Sequence, residues 1–187
     1  MSATNRGNKR SAYDFYATPI ECIEKLLDNF IIEKTNINIL EPAAGNGNII
    51  KVLKDKGTKG NITAIEIRGE EYNNLIKLAD KVIIDDFLQW NTNKNFDLII
   101  GNPPFSLARE FLEKCFEISN EKTIIVMLLR TSFLESKSRY DFWQKHPLSG
   151  LYVLSKRPSF TGKGTDATSY AWFIWNKSSD KQEIKVI

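Results

Sequence analysis

The sequence predicts an α/β fold: a Rossmann-like, doubly wound, mostly parallel seven-stranded sheet that ends in a C-terminal antiparallel hairpin. Three observations carry this. Short apolar runs rich in branched residues alternate with helical patterns between residues 37 and 130, the βαβαβ signature of a parallel sheet. The runs are apolar without alternation, as strands covered on both faces must be. After residue 150, two strand-like segments follow one another with only a turn-rich stretch between them.

The elements follow in order. "TPIECIEKLLDNFI" (18–31) puts Ile20, Ile23, Leu27 and Phe30/Ile31 on one helical face. Thr18 is the expected cap there, Pro19 suits the first helical position, and Glu21 completes a capping box. "INIL" (37–40) is the first strand, and "NIIKVLKDKG" (48–57) a helix ended by Gly57. "NITAIEI" (61–67) is the second strand. "GEEYNNLIKLAD" (69–80) is a helix whose first turn carries acids, where the dipole favours them. "KVIID" (81–85) and "FDLIIG" (96–101) are the third and fourth strands, "SLAREFLEKCFEIS" (106–119) a helix, and "KTIIVMLLR" (122–130) the fifth strand. "SKSRYDFWQKHP" (136–147) reads as a helix stopped by Pro147. "LYVLSKR" (151–157) and "SYAWFIWNK" (169–177) form the hairpin. Residues 1–12 are expected to be a flexible arm, 157–169 a mobile loop, and the last few residues mobile.

A length of 187 residues suggests one domain, and 42% hydrophobic residues supply a sizeable core. No apolar run is long enough to span a bilayer, and the first residues have no signal-peptide centre. Cys22 and Cys115 lie in helical patterns and read as buried thiols. His146 stands alone, without a partner for a metal site. These features lead to the expectation of a cytoplasmic, metal-free protein. A Lys/Asn/Ile-rich composition would suit an AT-rich bacterial or phage genome. The net charge of +3 is small, yet Arg6, Lys9 and Arg10 gather near the start, and Lys156, Arg157 and Lys163 near residue 160. Such residues suit a phosphate backbone and equally a solvated surface.

The chemistry concentrates at strand ends. "EPAAGNG" (41–47) joins the first strand to a helix, and its glycines let the backbone turn sharply against a ligand. A nicotinamide fingerprint would need a third glycine, which Asn48-Ile49-Ile50 does not provide. Glu66 ends the second strand, where an acid can accept from ribose hydroxyls. "IDDF" (84–87) ends the third; its carboxylates can accept from an adenine amine, and Phe87 can cover the ring. No Lys or Arg stands in the glycine loop for a phosphate. Adenosine with a zwitterionic tail fits this set, as in S-adenosylmethionine.

"GNPPF" (101–105) follows the fourth strand. An amine conjugated to an aromatic ring is a poor nucleophile, because its lone pair is delocalised. Two acceptors on its two hydrogens favour the pyramidal, reactive nitrogen. The Asn102 side-chain oxygen and the Pro103 carbonyl are candidates, and proline sets the carbonyl's direction in advance. Phe105 can stack on the base. A strong general base is unnecessary once the nitrogen is cationic.

"EPAAGNG" together with "GNPPF" resembles the class I, S-adenosylmethionine-dependent N6-adenine DNA methyltransferases, whose signature is (Asp/Asn/Ser)-Pro-Pro-(Tyr/Phe/Trp). "YATP" (16–19) resembles their cofactor-side segment, and the likeness spans roughly residues 13–135. The glycine loop precedes Asn102 by about 55 residues, like the γ arrangement. The resemblance implies that Asn102, Pro103, Pro104 and Phe105 hold the amine and base. It implies that Glu41, Pro42, Ala43, Gly45 and Gly47 line the methionine end of the cofactor, and Glu66 with Ile67 the ribose. Asp86 and Phe87, with Asp85 as the alternative acid, would take the cofactor adenine, and Thr18 and Pro19 would touch the cofactor. The partner implied is duplex DNA with a flipped adenine. Arg130, Lys137, Arg139, Lys156, Arg157 and Lys163 are candidates for its backbone, and Phe160, Trp143 and Phe133 for the vacated gap or the base. "GKGTD" (162–166) could move over the site. Family members often carry a recognition domain after the catalytic region, and the loop 157–169 is too short to be one. Relaxed recognition, a specificity or restriction partner, or short loops would each account for that. An RNA base is an alternative substrate. A non-catalytic binding protein on the same fold is a further alternative.

Overall fold

A computed structural model describes residues 16–32, 35–160 and 164–187. The expected flexible arm, 1–12, lies outside them, as do residues 161–163 of the expected mobile loop, Lys163 among them.

The apolar runs become strands as expected. β1 (Ile37–Glu41), β2 (Gly60–Glu66), β3 (Lys81–Ile84), β4 (Leu98–Gly101) and β5 (Ile124–Arg130) are followed by β6 (Gly150–Val153), β7 (Tyr170–Asn176) and β8 (Glu183–Val186). They form one sheet in the order β3-β2-β1-β4-β5-β7-β6-β8. The first five strands are parallel, and β7 runs antiparallel to both β5 and β6. The order reverses between β1 and β4, and ligands in open α/β sheets bind beyond the strand ends at such a point.

The strand count is a correction: eight among the described residues, not seven. β8 comes from the last residues, which were expected to be mobile. It pairs parallel to β6, from Gly150↔Glu183 to Val153↔Val186. Its side chains are mostly exposed, so no apolar run announces it. What holds it is main-chain pairing together with a hydrogen bond from the Tyr152 hydroxyl to Glu183 at 2.7 Å.

Helices cover both faces. α1 (Ile20–Asn29) and α2 (Asn48–Asp55) bury Ile23, Leu26, Ile50 and Leu53 against Ile39 and Trp172. After the four-residue α3 (Tyr72–Leu75), α4 (Ala108–Glu117) and α5 (Tyr140–Lys145) bury Leu112, Cys115 and Phe142 against Leu40 and Phe173. Neighbours such as Ile39 and Leu40, or Trp172 and Phe173, therefore enter opposite layers, as the period of two requires. Both cysteines are buried free thiols, and burial pushes Cys22 up to about 12.

Two local expectations change. Residues 69–80 form only a 3-10 turn at Gly69–Glu71 and then α3. Asparagine is a modest helix former, and the Asn74 side chain is used elsewhere, donating to the Asn46 carbonyl at 2.7 Å. The capping box at α1 does not form: Pro19 occupies the cap position and no side chain caps the helix. Among the described residues, no helix is long and apolar enough to cross a membrane.

Candidate functional site

A cavity of about 340 Å³ opens at the C-terminal ends of the parallel strands, within the usual size range of small-ligand sites. The loop after β1 contributes Pro42, Ala43 and Gly45 to its wall, and the end of β2 contributes Glu66 and Ile67. The turn after β3 brings Asp85, Asp86 and Phe87; the segment after β4 brings Asn102, Pro103, Pro104 and Phe105; Thr18 arrives from the chain before α1. Three sequence candidates stand off the wall. Pro19 caps α1, Gly47 caps α2, and Glu41 is buried at the end of β1.

The glycine loop is shaped by conformation and by one acid. Gly45 and Gly47 have φ of 54° and 79°, the left-handed region. The Gly45 N–H donates to Glu66 Oε2 at 2.6 Å, and the Ala44 N–H to the Ile65 carbonyl at 2.9 Å. A Cβ on Gly47 would meet Leu78 Cδ1 at 2.6 Å. Gly47→Ala is therefore expected to cost the left-handed penalty of about 1–2 kcal/mol before any clash is counted. By calorimetry that is a drop in melting temperature of roughly 2–8 °C.

Glu66 is 5% exposed, and both of its carboxylate oxygens accept hydrogen bonds. While Oε2 holds the loop, Oε1 accepts from both the backbone N–H and the Nε of Arg68, each at 2.9 Å. Arg68 also pairs with Glu71 at 3.2 Å. Arg68 lines the cavity too. Its position two residues after Glu66 was the only hint the sequence offered. Asp86 Oδ1 accepts from the Leu88 N–H at 3.0 Å, and Asp85 Oδ1 from the Asp86 N–H at 2.8 Å. Phe87 is 2% exposed and packs on Phe111 with centroids 5.2 Å apart.

Burial, and after it the Glu66 charge, push the Glu41 carboxyl well above its ordinary value of 4.5. A raised folded-state value favours folding only where the unfolded carboxyl is also protonated, so Glu41 weakens stability as pH rises above 4.5. Glu41→Gln is therefore expected to be more stable than the wild type at pH 7. The advantage should shrink toward pH 4, a trend that urea unfolding at several pH values would measure.

Asn102 is the most informative group. Its Nδ2 donates to the Tyr16 carbonyl at 3.2 Å and to Thr18 Oγ1 at 3.1 Å. Asn102 lines the cavity, and its Oδ1 is buried and has no hydrogen-bond partner among the described residues. A buried acceptor without a donor calls for an explanation, and a donor on a bound ligand is one. Phe105 beside it is ringed by aromatics. Tyr16 stacks nearly parallel at 6.0 Å, Tyr170 lies at 5.3 Å and Phe160 at 5.9 Å, and the Arg130 guanidinium sits 4.8 Å from the ring centre.

The basic candidates divide. Arg130 and Arg139 share a second hollow of about 150 Å³ with Phe105 and Phe133. Arg139 is bound to the carbonyls of Phe133, Ser132 and Glu135, so it also braces its own turn. Lys156 pairs with Glu21 at 3.4 Å, and Arg157 donates to the Ala167 carbonyl at 3.1 Å. Lys137 is exposed on the 3-10 turn before α5. Trp143 lines neither hollow and packs against the second core layer, parallel to Trp175 at 6.2 Å.

No protein-family model matches the chain. It is 31% identical to the Type II methyltransferase M.CvrRI of Paramecium bursaria Chlorella virus XZ-6E, over 77% of this chain and 49% of that protein. It is 30% identical to the Ribosomal RNA small subunit methyltransferase A of Flavobacterium johnsoniae, over 54% of this chain and 41% of that protein. The chain thus spans less than half the length of either relative. Among solved structures, it superposes with a TM-score of 0.68 on lmo1582 of Listeria monocytogenes, assigned as a class I S-adenosylmethionine-dependent methyltransferase. That match covers 97% of this chain and 68% of the other, at 14% identity.

Proposed function

We propose that this chain, a member of the class I S-adenosylmethionine-dependent methyltransferases, methylates the N6 amine of adenine in DNA. The observation that carries the reading is Asn102, a cavity-lining residue whose buried Oδ1 has no hydrogen-bond partner among the described residues.

The cavity suits the cofactor by volume and by its donor and acceptor set. Apolar loop residues and the Gly45 backbone would border the methionine end. Glu66 and Ile67 would meet the ribose through the lone pairs that the Gly45 and Arg68 bonds leave. Asp86 or Asp85 would accept from the cofactor's adenine, with Phe87 against its plane. When bound, S-adenosylmethionine supplies an electrophilic methyl on a sulfonium. The chain's own part is to prepare the nitrogen. Asn102 Oδ1 and the Pro103 carbonyl accept the two amine hydrogens and draw the lone pair out of conjugation. These acceptors are fixed before the substrate arrives, so little reorganisation opposes the reaction. Phe105 holds the base plane.

DNA is favoured by the Asn-Pro-Pro-Phe signature and by the Type II relative. An adenine in a duplex must leave the stack to reach Asn102, and Arg130, in the second hollow beside Phe105, suits the displaced backbone. Target choice would involve the loop around Phe160 or a partner protein. RNA is the second reading, prompted by the ribosomal RNA methyltransferase among the relatives. Incubation with S-adenosylmethionine labelled in its methyl group, offering duplex DNA, single-stranded DNA and RNA in parallel, separates the two. Label in DNA is the expected result. Label in RNA alone would replace the substrate, and no label in any of them would remove the proposal.

A further inference from the structure

Asparagine is an ambiguous choice for an acceptor. Its amide carries an oxygen on one side and an amine on the other, and a half-turn of the terminal torsion exchanges them. With the amine facing the substrate, donor would meet donor and the site would repel the group it must hold. Something must choose the orientation.

One group outside the Asn-Pro-Pro-Phe segment makes that choice, and a second helps to hold it. The Tyr16 carbonyl, 3.2 Å from Asn102 Nδ2, can only accept, so the amine must face it. Thr18 Oγ1, at 3.1 Å, offers a second acceptor to the same nitrogen. Thr18 is 5% exposed and is itself held, because its carbonyl accepts from Asn48 Nδ2 at 2.8 Å. Asn48 opens α2 directly after the glycine loop. The segment after β4 and the start of α2 are thus joined through one threonine.

We infer that Thr18 and the Tyr16 carbonyl form a latch that fixes the Asn102 amide with Oδ1 toward the incoming amine. Thr18 is then a positioning residue for the transfer step. This rests on the amine-methylation reading above. It also explains why Thr18 leaves α1 uncapped: its hydroxyl is committed to a residue 84 positions away.

The test uses Thr18→Val, which keeps the shape and removes the acceptor, Thr18→Ala as a second variant with no added bulk, and Thr18→Ser, which restores the hydroxyl. Leaving a buried donor unpaired should lower kcat by about 10- to 100-fold in the first two. In Thr18→Ser, kcat should return to within about threefold of wild type. Cofactor Kd by calorimetry should stay within about threefold throughout, because the latch acts on Asn102 and not on the cofactor. An independent readout needs no activity. The Asn102 side-chain NH2 signals, assigned by their loss in Asn102→Ala, should be protected from solvent exchange in the wild type and lose protection in Thr18→Val. Weaker cofactor binding with unchanged kcat would overturn the latch and make Thr18 a cofactor contact. Exchange unaffected by Thr18→Val would overturn it as well. A protected amide in a wild type that methylates no amine would instead count against the proposed function alone.

Discussion

Asn102→Ala is expected to lower methyl transfer by about 10²- to 10³-fold, the usual cost of deleting one preorganised acceptor or donor at a reacting group. The loss should fall on kcat. Oδ1 has no hydrogen-bond partner among the described residues, so removing it breaks no hydrogen bond there. The Nδ2 bonds to Tyr16 and Thr18 are lost with it, and these are ordinary neutral hydrogen bonds worth about 1 kcal/mol each. Melting temperature should therefore fall by only a few degrees. Cofactor binding, measured by calorimetry, should be retained within about threefold. Full activity in Asn102→Ala would remove the residue from the chemistry.

Glu66→Ala should act in the opposite way, on the fold of the site before its chemistry. The Glu66 carboxylate is buried and tied to two elements, the Gly45 N–H at 2.6 Å and Arg68 at 2.9 Å. The Arg68 side chain is 9% exposed. Breaking a buried pair by removing one partner costs about 3–5 kcal/mol, because the other charge remains buried. For a chain of this size that is a fall of roughly 6–20 °C in melting temperature. Arg68 retains Glu71 at 3.2 Å, which places the expectation at the lower end. Cofactor affinity should fall with it, since the glycine loop loses the acceptor that sets its approach. Glu66→Gln keeps an oxygen for Gly45 and should recover part of the stability but not the charge pairing with Arg68. A Glu66→Ala protein that melts with the wild type would show that the loop holds itself.

Much of this architecture can be read from the chain. The apolar runs around Ile39, Ile99 and Val126 need cover on both faces, and only a parallel sheet between helices provides it. The Asn-Pro-Pro-Phe segment shows itself because two prolines are so restrictive. The remainder is decided by tertiary partners that local pattern does not encode. Thr18, Pro19 and Glu21 spell a capping box, yet the hydroxyl goes to Asn102. Glu66 reads as an acceptor for ribose hydroxyls, yet its oxygens also hold Gly45 and Arg68. The helix expected over 69–80 is cut short where Asn74 turns to the glycine loop. β8 is invisible because an exposed edge strand needs no apolar periodicity. Trp143 reads as a stacking platform because a sequence does not show that Phe133, Phe173 and Trp175 already surround it.

The decisive measurement is the identity of the methylated nucleoside. Duplex DNA without prior methylation is incubated with the protein and S-adenosylmethionine, digested to nucleosides and resolved by mass. N6-methyladenine that accumulates with time is the expected product. Methylation of a cytosine amine would contradict the adenine assignment, and methyl found only in a parallel RNA digest would contradict the assignment to DNA.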